Sequence, residues 1–166
     1  MKWITREKIK VDRVACPWLI RNSIDEQAQF VFLPPETDWS QIDPGIVFDV
    51  AGCELGHHGE DVSFNSILKK YRLTDPALLL LGEIVRAADS RPGHPHPAGE
   101  GLRWIAGGFG ALGSTDHEIL EREFIVYDAL YAECKYQTTK NQKATMARPW
   151  CGIESRSIFE ILSTAR

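Results

Sequence analysis

The segment Thr115-Asp116-His117-Glu118 constrains this chain more than any other, because it fixes where a long helix begins. A threonine hydroxyl that accepts from the amide three residues on, with a glutamate there to reach back, is a capping box. Behind it, Leu120, Phe124, Tyr127 and Tyr131 recur at helical spacing, and the helix is predicted to run to about Tyr136. A helix of that length draws most of its stability from burying its apolar stripe, so the rest of the chain must supply a surface for it.

At about 100° per residue, His117, Glu121 and Asp128 fall within roughly 40° of one another, beside that stripe. Charge next to a buried face needs compensation. A divalent metal held by imidazole and carboxylate oxygens would supply it, and so would arginines such as Arg13 and Arg86 in a structural ion-pair network. The spacing alone leaves both readings open. Asp116 and Glu118 require no ligand, since acids in a first turn complement the helix dipole.

Upstream, the pattern changes from helical to extended. Lys8 to Asp12 alternate polar and apolar and read as a strand, and Pro17 opens a helix through Ile24. Phe30 to Leu33 and Ile46 to Val50 are the next strands, separated by a loop from Pro34 to Pro44. After the turn Gly56-His57-His58-Gly59 the signals are helical: Ser63 capping a helix to about Tyr71, Asp75-Pro76 starting one to about Asp89, and a packed, glycine-rich helix from Gly101 to Gly113. Ser90 to Pro97 is a breaker-rich loop, and its His94 and His96 read as surface residues. Thr138 to Ala147 reads as a polar loop and Ile153 to Leu162 as a short terminal helix. The fold class is therefore α+β: a small N-terminal β-α-β sheet unit, then a mostly helical second half. Residues 1–136 form the single domain, and 137–166 form an extension of loop and short helix packed on it.

Composition narrows the function. A net charge of −4 provides no electrostatic footprint for nucleic acid, so direct binding is not expected. The longest apolar run, Ala77 to Leu81, is far short of a membrane span, and the start lacks a signal-peptide stretch, which predicts a cytoplasmic protein with no membrane partner. The four cysteines form no Cys-x-x-Cys pair. No phosphate loop, dinucleotide fingerprint or Gly-x-Ser-x-Gly elbow is present.

Two further segments could carry chemistry. In Cys53 to Glu60, glycines flank paired histidines just beyond a strand. Adjacent histidines there point apart, which favours His57 over His58 as a ligand. In Asp12-Arg13-Val14-Ala15-Cys16-Pro17-Trp18, the reading sets Asp12 at a strand's carboxyl end and Cys16 at a helix N-terminus, where the helix field would favour thiolate. The plainer reading of Cys16 is a small buried hydrophobe.

Several segments together resemble the ChrB domain of chromate-resistance proteins: Lys10 to Arg21, Phe48-Asp49-Val50 with Glu54-Leu55-Gly56-His57, Asp116-His117-Glu118 with Glu121, and Val126 to Tyr131. The resemblance spans roughly Trp3 to Cys134. It implies a metal-binding sensor or resistance module linked to chromate or metal-oxyanion stress. The implied metal ligands are His57, His117, Glu121 and Asp128 around zinc, iron or manganese, with Arg13 and Cys16 facing a small oxyanion. A sulfurtransferase-type or regulatory protein is the implied partner. The alternative is a small metal-dependent or thiol-dependent redox enzyme, with Cys16 and Arg13 as its catalytic groups.

Overall fold

A computed structural model describes residues 1–89 and 95–146, with side chains to residue 143. Strand β1 (Lys2–Arg6) leads through helix α1 (Val11–Ser23) to β2 (Gln29–Leu33), and the short β3 (Ile46–Val47) follows. All pairings are parallel, in the order β2-β1-β3, with Trp3 level with Phe30 and Ile46. Four helices complete the domain: α2 (Ser63–Lys70), α3 (Pro76–Asp89), α4 (Pro97–Ala111) and α5 (Asp116–Met146). The α+β reading holds, with the β-α-β unit at the N-terminus.

The first strand and helix both lie earlier than the alternation predicts. Lys8 takes a left-handed φ of 60°, which ends the extended run. The Lys8 and Ile9 amides donate to the Asp116 carboxylate at 3.0 Å each, tying this turn to the start of α5. Helix α1 then starts at Val11, and Pro17 lies inside it rather than in its first turn. Asp12 is therefore a first-turn helical residue, and Cys16 is one turn further in.

The core forms where α1 is enclosed by the sheet, α2, α3 and α5. Trp3, Trp18, Phe48, Phe64, Leu81 and Tyr127 are among its fully buried side chains. Tyr127 donates its hydroxyl to the Val11 carbonyl at 2.8 Å, so the stripe of α5 seats directly on the start of α1. The capping box closes reciprocally: the Thr115 amide donates to Glu118 Oε2 at 2.7 Å, and the Glu118 amide donates to Thr115 Oγ1 at 3.3 Å.

Helix α5 continues past Tyr136 through the segment read as a loop. Thr138 and Thr139 direct their hydroxyls at the Cys134 and Lys135 carbonyls, both at 2.8 Å, so they back-bond within the helix instead of turning the chain. The terminal helix expected from Ile153 to Leu162 lies outside the described residues. Among the described residues, no helix is long and apolar enough to cross a membrane.

Candidate functional site

Four segments deliver charged side chains to one point beside α1. Asp12 is 2% exposed, and its carboxylate accepts from the Ser63 and Phe64 amides at 2.7 and 3.0 Å. Ser63 is thus the first residue of α2 rather than its cap, and the capping carboxylate comes from another helix. Anionic oxygen suits that position because unpaired amides and the helix dipole both favour it. The Cys16 thiol also donates to Asp12 Oδ1, at 3.4 Å.

Asp49 follows β3 with a left-handed φ of 48°, a conformation that aspartate tolerates better than most residues. It accepts from Ser63 Oγ at 2.8 Å, and its Oδ2 forms an ion pair with Arg13 Nε at 3.3 Å. Asp89 is the last residue of α3. His57, on the loop before α2, points its Nε2 at all three acids: Asp12 Oδ2 at 3.3 Å, Asp49 Oδ1 at 3.2 Å and Asp89 Oδ2 at 3.6 Å.

The electrostatics follow from this crowding. Hydrogen bonds to Asp12 and Asp49 push the His57 imidazole up to about 10, so without a cation the proton on Nε2 offsets the acids, and a cation bound there would take that proton's place. Desolvation, then repulsion from Asp12 and Asp49, raises Asp89 to about 6. With His57 neutral, three carboxylates would face the single guanidinium of Arg13, leaving two negative charges uncompensated.

That donor set suits a divalent cation. Asp12, His57 and Asp89 each offer one ligand atom, all within 4.8 Å of one another, and they form the one such group of three among the described residues. A cation bound about 2.1 Å from nitrogen and oxygen ligands sets neighbouring donors roughly 3.0–3.5 Å apart. The 3.2–3.6 Å separations around His57 Nε2 are close to that range. His57 turns the required nitrogen inward, while its side chain remains 47% exposed and so leaves an approach from solvent.

The residues singled out from sequence divide among different places. His57 belongs to this cluster. His58 points away, its Nε2 2.9 Å from the Glu54 carbonyl, and the turn closes through paired bonds between His58 and Asp61. His117 packs edge-on against Phe32 with ring centroids 5.0 Å apart, and with Glu121 and Arg21 it lines a cleft of about 300 Å³ along β2. Asp128 accepts from Trp18 Nε1 at 2.8 Å and lines a different cleft. His117 and Asp128 are eleven residues apart, about 16 Å along the helix axis, so one ion cannot span them.

Arg13 is already engaged, by Asp49 and by the Glu7 carbonyl at 3.3 Å. Cys16 is fully buried, and burial followed by the Asp12 charge raises its thiol well above the ordinary value. Its environment disfavours thiolate, the reverse of the expectation drawn from a helix N-terminus.

Sequence reasoning missed Asp49 and Asp89 as site members and left Asp12 without a metal role. Asp89 had a legible signal, an acid in the last turn of a predicted helix, where the dipole disfavours it. Asp49 had a signal only in the resemblance, as part of Phe48-Asp49-Val50, because nothing in the local pattern announces the left-handed residue that turns its side chain back toward α1.

Comparison with known proteins gives a family match and a relative. The family model described as ChrB, C-terminal domain, matches residues 3–134. Protein ChrB of Cupriavidus metallidurans is 34% identical over 131 residues, covering 78% of this chain and 40% of that protein. The chain thus spans less than half the length of that relative. No solved structure matches. The matched interval runs from β1 into α5 and includes Asp12, Asp49, His57 and Asp89, and the chain belongs to the ChrB C-terminal domain family.

Proposed function

We propose that this domain is the metal-binding module of a chromate-resistance system, holding a divalent cation between Asp12, His57 and Asp89, with Asp49 at its flank. The observation that carries the reading is the single imidazole nitrogen facing three carboxylates from three other parts of the chain. Mixed nitrogen and oxygen donors suit zinc, iron or manganese. When bound, the cation supplies a positive, Lewis-acidic centre on the solvent side of His57, a place where an oxyanion such as chromate can be recognised.

In this reading the chain's own residues hold and orient the centre. Asp12 is fixed by the amides that start α2, and Asp49 by Ser63 and Arg13. Arg13 balances Asp49 and leaves oxyanion recognition to the cation. A sensor or resistance module suits these surroundings better than a thiol-dependent enzyme, because Cys16 lies sealed in the core.

The test is elemental analysis of untagged protein purified without chelator, comparing wild type with His57→Ala, Asp89→Asn, His117→Ala and Glu121→Ala. Near-stoichiometric metal in the wild type and in both α5 variants, lost in the His57 and Asp89 variants, supports the site. Metal retained without His57, or lost only with His117 or Glu121, moves it to the face of α5. A metal-free, folded wild type leaves the cluster as an ion-pair network.

A further inference from the structure

The cluster at His57 contains one more carboxylate than the cation site takes up. Asp49 Oδ1 is 3.2 Å from His57 Nε2, nearer than the Asp12 and Asp89 oxygens at 3.3 and 3.6 Å. Asp49 is nonetheless outside the group whose ligand atoms all lie within 4.8 Å of one another, which is Asp12, His57 and Asp89. Both of its oxygens are engaged elsewhere. Oδ1 accepts from Ser63 Oγ at 2.8 Å, and Oδ2 is paired with Arg13 Nε at 3.3 Å.

Arg13 is itself held in place. Its Nη1 donates to the Glu7 carbonyl at 3.3 Å, so the guanidinium is fixed at two points. The Arg13 side chain is 17% exposed and that of Asp49 7%, so water and salt screen the pair poorly. Asp12 and Arg13 are consecutive in the first turn of α1. That turn therefore delivers a ligand and, beside it, the cation that neutralises a further candidate ligand. Charge and ligand count give this a consequence. Two carboxylates balance a divalent cation, and a third would leave the centre negative. Sites that fill every position from the protein are closed, whereas sites that take an outside ligand keep a position free.

We infer that Arg13 is a positioning residue that withholds Asp49 from the cation and so keeps the centre open to an outside anion. The inference rests on the cation site proposed above. Without the guanidinium, the buried Asp49 carboxylate has lost a charge partner, and a bound cation is the positive charge nearest to it. The carboxylate then joins the cation as a further ligand. The centre binds its cation more tightly and an anion less well.

Cobalt(II) titration of the metal-free full chain, followed through the visible absorption bands of the bound ion, tests this in wild type, Arg13→Gln, Asp49→Asn and the double variant, with azide as the anion probe. Arg13→Gln is expected to bind cobalt about tenfold more tightly than wild type, and azide should shift the wild-type bands but not those of the variant. Removing a positive charge favours a cation by itself, so the double variant separates the causes. On the Asp49→Asn background, Arg13→Gln should gain less than about threefold. No gain in Arg13→Gln, a gain equally large without the carboxylate, or the same azide response with and without Arg13 overturns the inference. Asp49→Asn alone should keep the wild-type band positions, because it loses a charge and no ligand. Shifted bands there would make Asp49 a ligand already and sink the inference even if Arg13→Gln did not fold. A wild type that binds no cobalt removes the cation site itself and the inference with it, a result distinct from all the others.

Discussion

The cluster at His57 and the stripe on α5 use the same residue types, one histidine with carboxylates, and differ in how the chain presents them. On α5 the groups are carried by one rigid rod that rises about 1.5 Å per residue, so two of them share a ligand only within a turn. His117 and Glu121 are neighbours, and Asp128 lies about 16 Å away on a separate cleft, hydrogen-bonded to Trp18. At His57 the carboxylates come from the first turn of α1, a left-handed residue after β3 and the last residue of α3. Convergence of like charges requires several chain segments ending at one point. A helix face alone arranges them in a line.

The comparison is broken most sharply at Asp12. Its carboxylate serves α2 as a cap, accepts from Cys16 and faces His57, so Asp12→Ala strips two buried amides of their acceptor at once. Each buried donor left unsatisfied costs about 1–3 kcal/mol. Urea unfolding is expected to show a loss of roughly 3 kcal/mol or more, with no change in the wild-type slope. A loss below about 1 kcal/mol would mean that α2 recaps itself and that Asp12 is not the hub described.

Glu123 is the opposite case on the other element. It lies in the buried stripe of α5, 0% exposed, and neither carboxylate oxygen has a hydrogen-bond partner among the described residues. Desolvation alone raises it from 4.5 to about 7. As pH rises between those values, the unfolded chain releases a proton that the folded chain keeps, so stability falls across that window and then levels. Glu123→Gln removes the titration, and the drop in stability between pH 5 and pH 8 is expected to shrink by about 2 kcal/mol. Denaturation curves at the two pH values decide it: parallel pH profiles for variant and wild type would show that Glu123 ionises freely inside the fold.

How far the chain could be read in advance follows the same division. Features written in local spacing were legible: the capping box at Thr115, the start of α3 at Pro76, the seat of Leu120 and Tyr127 in the core, and the opposed directions of His57 and His58. The position of Glu123 in the stripe was legible as well, three residues after Leu120 and four before Tyr127, though it was passed over. The first strand was misplaced because Lys8 to Asp12 alternate like a strand. What ends the extended run is a turn held by Asp116, more than a hundred residues away. The site itself depends on such long-range bonds. Asp12 reads as a strand-end acid until Ser63 and Phe64 are set against it, and no local pattern reports that.

The smallest expected effect separates the two regions most cleanly. If Asp128 were a metal ligand, Asp128→Asn would exchange an anionic donor for a neutral amide, and metal content would fall. The contact that it makes is instead an acceptor role toward Trp18 Nε1 at 2.8 Å, which an asparagine carbonyl oxygen can also fill. Asp128→Asn is therefore expected to retain wild-type metal content and to change stability by no more than about 0.5 kcal/mol. Asp128→Ala removes the acceptor, leaves the indole N–H of a buried tryptophan unpaired and should cost about 1 kcal/mol, again with metal unchanged. Elemental analysis and denaturation on the same two preparations give both readings. Loss of metal in the asparagine variant would return α5 to the site, whereas the expected pair of results assigns Asp128 to the packing of α5 on α1 and leaves the chemistry with the segments that meet at His57.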